Sequence, residues 1–266
     1  MKKNKFIIVA DEAYFSHAYN LIKSIDIVYD NQYIEMFVVT NTYNSIITFN
    51  KNVECFKNYL TINPIYLSFI DNQKKPAFCA NIRAQILYDL CKQSNTGDKL
   101  IYIDADSVIL KKLLILDSKS YENMIFFRNN LEDIRYFVAT GVILITVDKD
   151  IELFIKNWKE LISPVIYEWY SDQIQFYNAY IKNKSISLFE SLDIRYIDWN
   201  FKPSSFIWTA KGKKKDSLAY TIMIKSIYYR NIKYKFLRFI AIIIAPFENI
   251  YHNILDKIIR IKRAIE

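Results

Sequence analysis

The sequence predicts an α/β fold: a mostly parallel central sheet flanked by helices, followed by a basic, amphipathic helical tail. Two patterns predict it. Short apolar runs alternate with segments of helical periodicity through residues 1–201, the order expected of βαβ units. Beyond that the composition changes: residues 202–266 hold 14 Lys and Arg against 4 Asp and Glu, whereas the preceding part is near neutral. At 266 residues, 52% hydrophobic and 24% charged, the chain can bury a sizeable core and is too apolar to be disordered.

Residues 5–10 are a continuous apolar run ending at Asp11, a first strand closing on a turn. Residues 13–27 read as a helix and 34–40 as a second strand. Short strands are expected at 53–56 and 65–69. Across 75–92, Phe78, Ile82, Ile86 and Leu90 recur four residues apart, which predicts one helix with Arg83 off its apolar stripe. Gly97 breaks the chain, and 100–103 is a strand feeding two carboxylates. Strands follow at 124–127 and 142–147, helices at 151–162 and 172–181, and short strands at 185–189 and 193–197. Asp71 and the Asp148/Asp150 pair sit in turn and cap contexts. His17 and His252 have no partners at metal-ligand spacing and read as structural or surface residues.

Composition excludes several chemistries. Three glycines are too few for the Gly-rich phosphate loops of dinucleotide- or triphosphate-binding folds. Cys55, Cys79 and Cys91 form no CxxC pair, and an odd count fits a reducing cytoplasm. The apolar run after the basic residues 2–5 is too short for a signal sequence and is better used as the first strand.

The most informative segment is 99–110, where a buried strand runs into Asp104-Ala105-Asp106. Two carboxylates one residue apart are a compact set of hard oxygen donors, suited to Mg²⁺ or Mn²⁺ when phosphate oxygens complete the shell. The bland alternative is a strand that ends in turn-forming aspartates. Ligands of parallel sheets bind beyond the carboxyl ends of the strands, which makes Ala10-Asp11, Thr40 and the aspartate pair converge. Other features follow in order: Ala139-Thr140-Gly141 before an apolar strand, Asp172-Gln173 opening a helix, Trp199-Asn200, and Thr209-x-x-Gly212-x-x-Lys215.

Over residues 4–216 this order of motifs resembles the GT-A glycosyltransferases, and within them the family 8 type of bacterial sugar transferases. The resemblance implies a GT-A type nucleotide-diphospho-sugar transferase fold over residues 1–217. It implies metal-dependent transfer of a hexose or related sugar from a nucleotide-diphosphate donor, by analogy a UDP-sugar, to a lipid-linked or surface-glycan acceptor such as lipopolysaccharide or capsule. Asp104 and Asp106 would then hold Mn²⁺ or Mg²⁺ against the donor diphosphate. Ala10, Asp11, Arg83, Ala105, Thr140, Gly141, Gly212 and Lys215 would contact the donor, and Asp172 and Gln173 the reaction centre; Trp199 and Asn200 read as an acceptor wall or simply as packing. Thr209 stands where the family usually has a metal-ligating His, so its hydroxyl is the third candidate ligand. Family 8 resemblance implies retention at the anomeric carbon, with Asp172 and Gln173 positioning the sugar. An inverting enzyme would use Asp172 as general base.

Residues 218–266 mix Ile, Phe and Tyr with Lys and Arg, and their longest uncharged apolar run, 239–247, is far short of the about 20 residues a spanning helix needs. The expectation is an amphipathic membrane-association region, split into two helices by Pro246, that docks on the anionic cytoplasmic face of the inner membrane. Two other functions fit parts of the pattern. A nucleic-acid-binding protein would use the basic, aromatic tail, but its charges are interleaved with Ile and Phe and no nucleic-acid motif is present, so no nucleic-acid partner is expected. A nucleotidyltransferase would share the paired carboxylates but lacks its Gly-rich phosphate loop. The pattern fixes no oligomeric state.

Overall fold

The structure is a computed structural model that describes residues 4–42, 57–67, 73–116, 125–129, 138–183, 189–228 and 232–265. The strand expected at 53–56 and Asp71 lie outside these residues. Seven strands form one sheet in the order β3-β2-β1-β4-β7-β6-β8. They are β1 (Asn4–Asp11), β2 (Tyr33–Thr40), β3 (Tyr59–Tyr66), β4 (Lys99–Ile103), β6 (Ile125–Asn129), β7 (Val138–Thr146) and β8 (Phe189–Ser191). β1 pairs in parallel with β2 and β4, and β2 with β3, whereas β7 runs antiparallel to both β4 and β6. A second, two-stranded sheet pairs β5 (Ser107–Ile109) with β9 (Ile207–Thr209).

Period-two alternation divides the core between the faces of the sheet. Phe6 and Ile8 pack with Leu21, Ile22 and Ile25 of α1 (Phe15–Val28) on one face. On the other, Ile7 and Val9 share a cluster with α3 (Arg83–Gln93) and with Phe154, Ile155 and Trp158 of α4 (Lys149–Ile162). Asp148 caps α4 by accepting from the Ile151 N–H at 2.8 Å, as its position in the sequence predicts.

Several elements differ from the sequence pattern, each for a local reason. The strand expected at 65–69 is β3 and begins at Tyr59; its many polar and half-exposed residues hide it, and Pro64 is tolerated because β3 is an edge strand. The helix expected over 75–92 is two helices, α2 (Lys75–Asn81) and α3, interrupted at Ile82. The strand expected at 142–147 starts at Val138, which moves Thr140 and Gly141 from a turn into a buried strand. Residues 193–197 form a 3₁₀ turn instead of a strand, because the Asp193 carboxylate accepts from the Arg195 N–H and bends the backbone. Of the strand expected at 185–189, residues 185–188 lie outside the described residues; Phe189 opens β8, which runs on to Ser191.

The tail also departs from expectation. α6 (Leu218–Ile227) is followed by one helix, α7 (Ile232–Ile265), that continues through Pro246. Packing compensates for the backbone hydrogen bond that Pro246 cannot donate. Ala241 and Ala245 are fully buried in a third core cluster with Met223 of α6 and Trp208 of β9, and Arg238 donates to the Leu110 carbonyl at 2.7 Å. Among the described residues, no helix is long and apolar enough to cross a membrane. Two substitutions separate the faces of α7. Ala241→Leu overfills the α6–α7 contact and is expected to cost about 1–3 kcal/mol in urea unfolding. Phe239→Ser, on the exposed face, is expected to leave the midpoint nearly unchanged.

Candidate active site

The sheet brings the chemistry-bearing residues to one end. A pocket of about 180 Å³ is lined by Ala10 and Asp11 at the end of β1 and Tyr14 beyond it, by Pro76, Cys79, Ala80 and Arg83 of α2 and α3, by Tyr102 of β4 with Asp104, Ala105 and Asp106 beyond it, and by Trp169. Six donor-site candidates from the sequence therefore share one cavity.

Arg83 is at its floor. It opens α3, off the apolar stripe as expected, yet it is buried at 5% exposure. Its Nη2 lies 3.2 Å from Asp104 Oδ1, and its Nη1 lies 3.6 Å from Asp172 Oδ2 while donating to the Thr140 carbonyl at 2.7 Å. Its Nε donates back to the Ala80 carbonyl, and its Cζ stands 4.7 Å from the centre of the Tyr102 ring. Burial opposes the guanidinium charge, but Asp104, Tyr102 and Asp172 outweigh it and hold Arg83 more firmly protonated than usual.

Asp104 also accepts from the Tyr102 hydroxyl at 2.9 Å. Tyr102 and Asp104 are two residues apart at the end of β4, a spacing that alternation turns to one side; the chain then turns, with the Ser107 N–H donating to the Asp104 carbonyl at 3.1 Å, and brings Asp106 to the same pocket. Gly141 of β7 makes room for this: its carbonyl accepts from the Asp104 N–H at 2.8 Å, and a Cβ on Gly141 would stand 2.6 Å from Asp104 Oδ2. Asp106 pairs with Lys215, Nζ to Oδ2 at 2.9 Å. Burial, and then the neighbouring Asp104 carboxylate, push the Asp106 carboxyl up to about 6 against the pull of Lys215. Lys215 in turn donates to the Tyr14 hydroxyl and lies 4.1 Å above that ring.

Asp172 begins the second turn of the site. It sits at the start of α5 (Ser171–Lys182), 3% exposed, and accepts from the Thr140 hydroxyl. Burial raises its pKa, with Arg83 and Thr140 opposing. One buried side chain, Asn81, fixes this entry: its Oδ1 accepts from the Asp172 N–H at 2.8 Å and its Nδ2 donates to the Ile166 and Glu168 carbonyls at 2.7 and 2.8 Å. Tyr170, at φ 66°, turns the chain into the helix. The next residue, Gln173, holds a buried Oε1 without a hydrogen-bond partner among the described residues.

Other candidates stand around the pocket. Gly212 is at φ +61° with no atom within 4 Å of a built Cβ, so backbone conformation and not close approach calls for glycine there. The Thr209 hydroxyl is paired with that of Ser107 at 3.0 Å in the β5–β9 ladder and does not line the pocket. Trp199 packs against the first core cluster beneath Lys211, whose Nζ is 4.9 Å from its ring centre. Asn200 joins Lys214, Nζ to Oδ1 at 3.1 Å. Tyr14, Tyr102, Asn81 and Trp169 were missed by sequence reasoning; of these only Tyr102 carried a signal, its two-residue spacing from the aspartates.

Among the described residues, no group of three or more His, Cys, Asp and Glu side chains gathers for a metal. The fit to a divalent ion rests on Asp104 and Asp106 alone: two hard-oxygen donors whose mutual repulsion favours a cation between them.

No protein-family model and no curated protein matches the chain. Solved structures do. The bifunctional glycosyltransferase WbbM is 13% identical over 79% of this chain and 46% of its own, with a TM-score of 0.55. The apo form of the glycosyltransferase GlyE of Streptococcus pneumoniae TIGR4 is 15% identical over 80% and 55%, at 0.56. The galactosyltransferase LgtC, in complex with donor and acceptor sugar analogs, is 13% identical over 88% and 99%, also at 0.56. The fold is that of the GT-A glycosyltransferases. The chain spans about half the length of WbbM and GlyE but nearly all of LgtC.

Two outcomes follow from the crowding at Asp104 and Asp106. Gly141→Ala drives its methyl into Asp104 and is expected to cost about 1–3 kcal/mol in denaturant titration. Asp106→Asn should act with the opposite sign. Folding raises the pKa of this carboxyl, so its charge burdens the native state above about pH 6, and the burden fades as the pH falls through 6 toward the ordinary Asp range. In thermal melts the variant is expected to gain a few degrees near pH 7.5 and nothing near pH 4.

Proposed function

We propose that this chain is a glycosyltransferase that takes its sugar from a nucleotide-diphosphate donor, with Asp104 and Asp106 at the diphosphate. The observation that carries the reading is the buried Arg83, which lines the pocket beside Asp104 and holds Thr140 and Asp172 behind it in a GT-A fold. LgtC, which is similar over most of the chain, was solved with donor and acceptor sugar analogs.

Each residue has a task in that reaction. Asp11 and Tyr14 lie at the end of the pocket suited to the nucleoside, where a carboxylate accepts base N–H groups and a ring stacks. Arg83 and Lys215 flank the diphosphate, and Lys215 gains most as the sugar–phosphate bond breaks and negative charge grows on the leaving group. A bound Mg²⁺ or Mn²⁺ would be held by Asp104 and Asp106 and would supply further neutralisation of the leaving diphosphate. Asp172 is buried and already engaged by Thr140 and Arg83, which supports a role in orienting the sugar and favouring its cationic character over that of a general base. That choice goes with retention of configuration.

We further infer an anionic membrane surface on the acceptor side, and hence a lipid-linked glycan as acceptor at the cytoplasmic face of the inner membrane. Phe236, Phe239, Ile243, Phe247, Ile250 and Ile254 are all exposed and fall three or four residues apart, an apolar stripe along α7 within a strongly basic segment.

Saturating UDP-sugar with Mn²⁺ is expected to raise the melting temperature by several degrees. The Asp104→Ala and Asp106→Ala proteins should lose that shift and sugar transfer together; an Asp106→Ala protein that transfers sugar at the wild-type rate would refute the reading. Co-sedimentation with anionic vesicles tests the membrane surface. Phe239→Ser combined with Phe247→Ser should reduce it severalfold, and unchanged sedimentation would exclude the α7 stripe.

A further inference from the structure

The loop that carries Lys215 is joined to α7 by side chains. Residues Gly212–Asp216 form a 3₁₀ turn, entered and left by hydrogen bonds from Lys214 N to the Lys211 carbonyl and from Ser217 N to the Lys214 carbonyl, both 3.3 Å long. Two of the side chains that tie it down come from α7. The Lys214 ammonium donates to three acceptors: the Trp199 carbonyl at 2.5 Å, Asn200 Oδ1 at 3.1 Å and Asn249 Oδ1 at 3.2 Å. Asn249 Nδ2 donates to the Asn200 carbonyl. One residue earlier, both Glu248 oxygens accept from the start of α6, from Leu218 N at 2.6 Å and Ala219 N at 2.8 Å, next to the loop's last residue. Between the loop and α7 lies an open cleft lined by Lys213, Asp216, Ser217, Phe247, Glu248 and Tyr251. Close apolar packing therefore does not fix this approach, and polar contacts do.

We propose that Asn249 and Glu248 of α7 are positioning residues for the donor site: they hold the Lys214-Lys215 loop over Asp106 and tie it to the Trp199-Asn200 wall. The inference rests on the nucleotide-diphosphate reading of the pocket. It gives α7 a second role, because Glu248 and Asn249, outside its exposed stripe, reach the diphosphate end of the pocket through a single lysine pair. Neither residue touches the donor; each acts through Lys214 or the α6 cap.

The test uses the full chain and two readouts. UDP with Mg²⁺ is titrated by calorimetry into wild type, Asn249→Ala, Asn249→Asp and Phe239→Ser. Asn249→Ala removes one acceptor from Lys214 and should weaken UDP roughly tenfold. Asn249→Asp keeps that acceptor and should restore binding to within about twofold of wild type. Phe239→Ser, on the exposed stripe three turns away, should bind UDP as wild type does. Limited trypsinolysis reads the loop directly: Asn249→Ala should be cut severalfold faster between residues 211 and 216 than either wild type or Asn249→Asp. Glu248→Gln, which weakens the α6 cap, should be cut faster at the same place. An Asn249→Ala protein with unchanged UDP affinity and unchanged cleavage would overturn the positioning role alone. A wild-type protein that binds no nucleoside diphosphate would overturn the reading of the pocket on which it rests, whatever the cleavage pattern.

Discussion

One buried guanidinium organises the site. Arg83 is the meeting point of three separate parts of the chain: Asp104 after β4, Thr140 within β7 and Asp172 at the start of α5. Neither Arg83 nor Asp172 could stand alone at such burial, since an unpaired charge away from water costs several kcal/mol. Together they are stable because each lends the other a partner, and Tyr102 covers the group with its ring face. Removing any one member leaves the rest uncompensated, so the fold around the pocket and the chemistry of the pocket are the same set of contacts.

The second charged pair, Lys215 with Asp106, has a different character. It joins the sheet to a loop held by side chains, and Asp106 keeps its charge at a cost, with its carboxyl pushed up to about 6. A donor diphosphate offers Lys215 a stronger partner than one carboxylate does, and a divalent ion offers Asp106 the same. Under the proposed donor binding, this pairing is the one to be exchanged and the Arg83 cluster is the one to persist. α7 bears on that half through the contact of Asn249 with Lys214.

The sequence made the layered sheet and the aspartate pair readable because both rest on local patterns: apolar runs of strand length, and two carboxylates at the end of one of them. Its motif order also pointed to the GT-A fold, which the similar solved structures share. Long-range geometry was not readable. Arg83 looked like a residue on the polar side of a helix, and only the break at Ile82 and the return of β7 past β4 bury it. Thr140-Gly141 looked like a turn because glycine usually marks one, yet here its missing side chain makes space for Asp104 inside a strand. Pro246 suggested two helices, and the packing of Ala241 and Ala245 carried the helix through. Asn81 gave no signal, since its partners are more than 80 residues away in the chain.

Arg83 acts as a fork and not merely as a positive charge. Arg83→Lys keeps the charge but cannot reach Asp104, Asp172 and the Thr140 carbonyl at once. Calorimetric titration of UDP with Mg²⁺ into this variant, in a protein whose circular dichroism matches wild type, measures that difference. We predict a loss of affinity of at least roughly tenfold; binding of UDP at wild-type strength would contradict it.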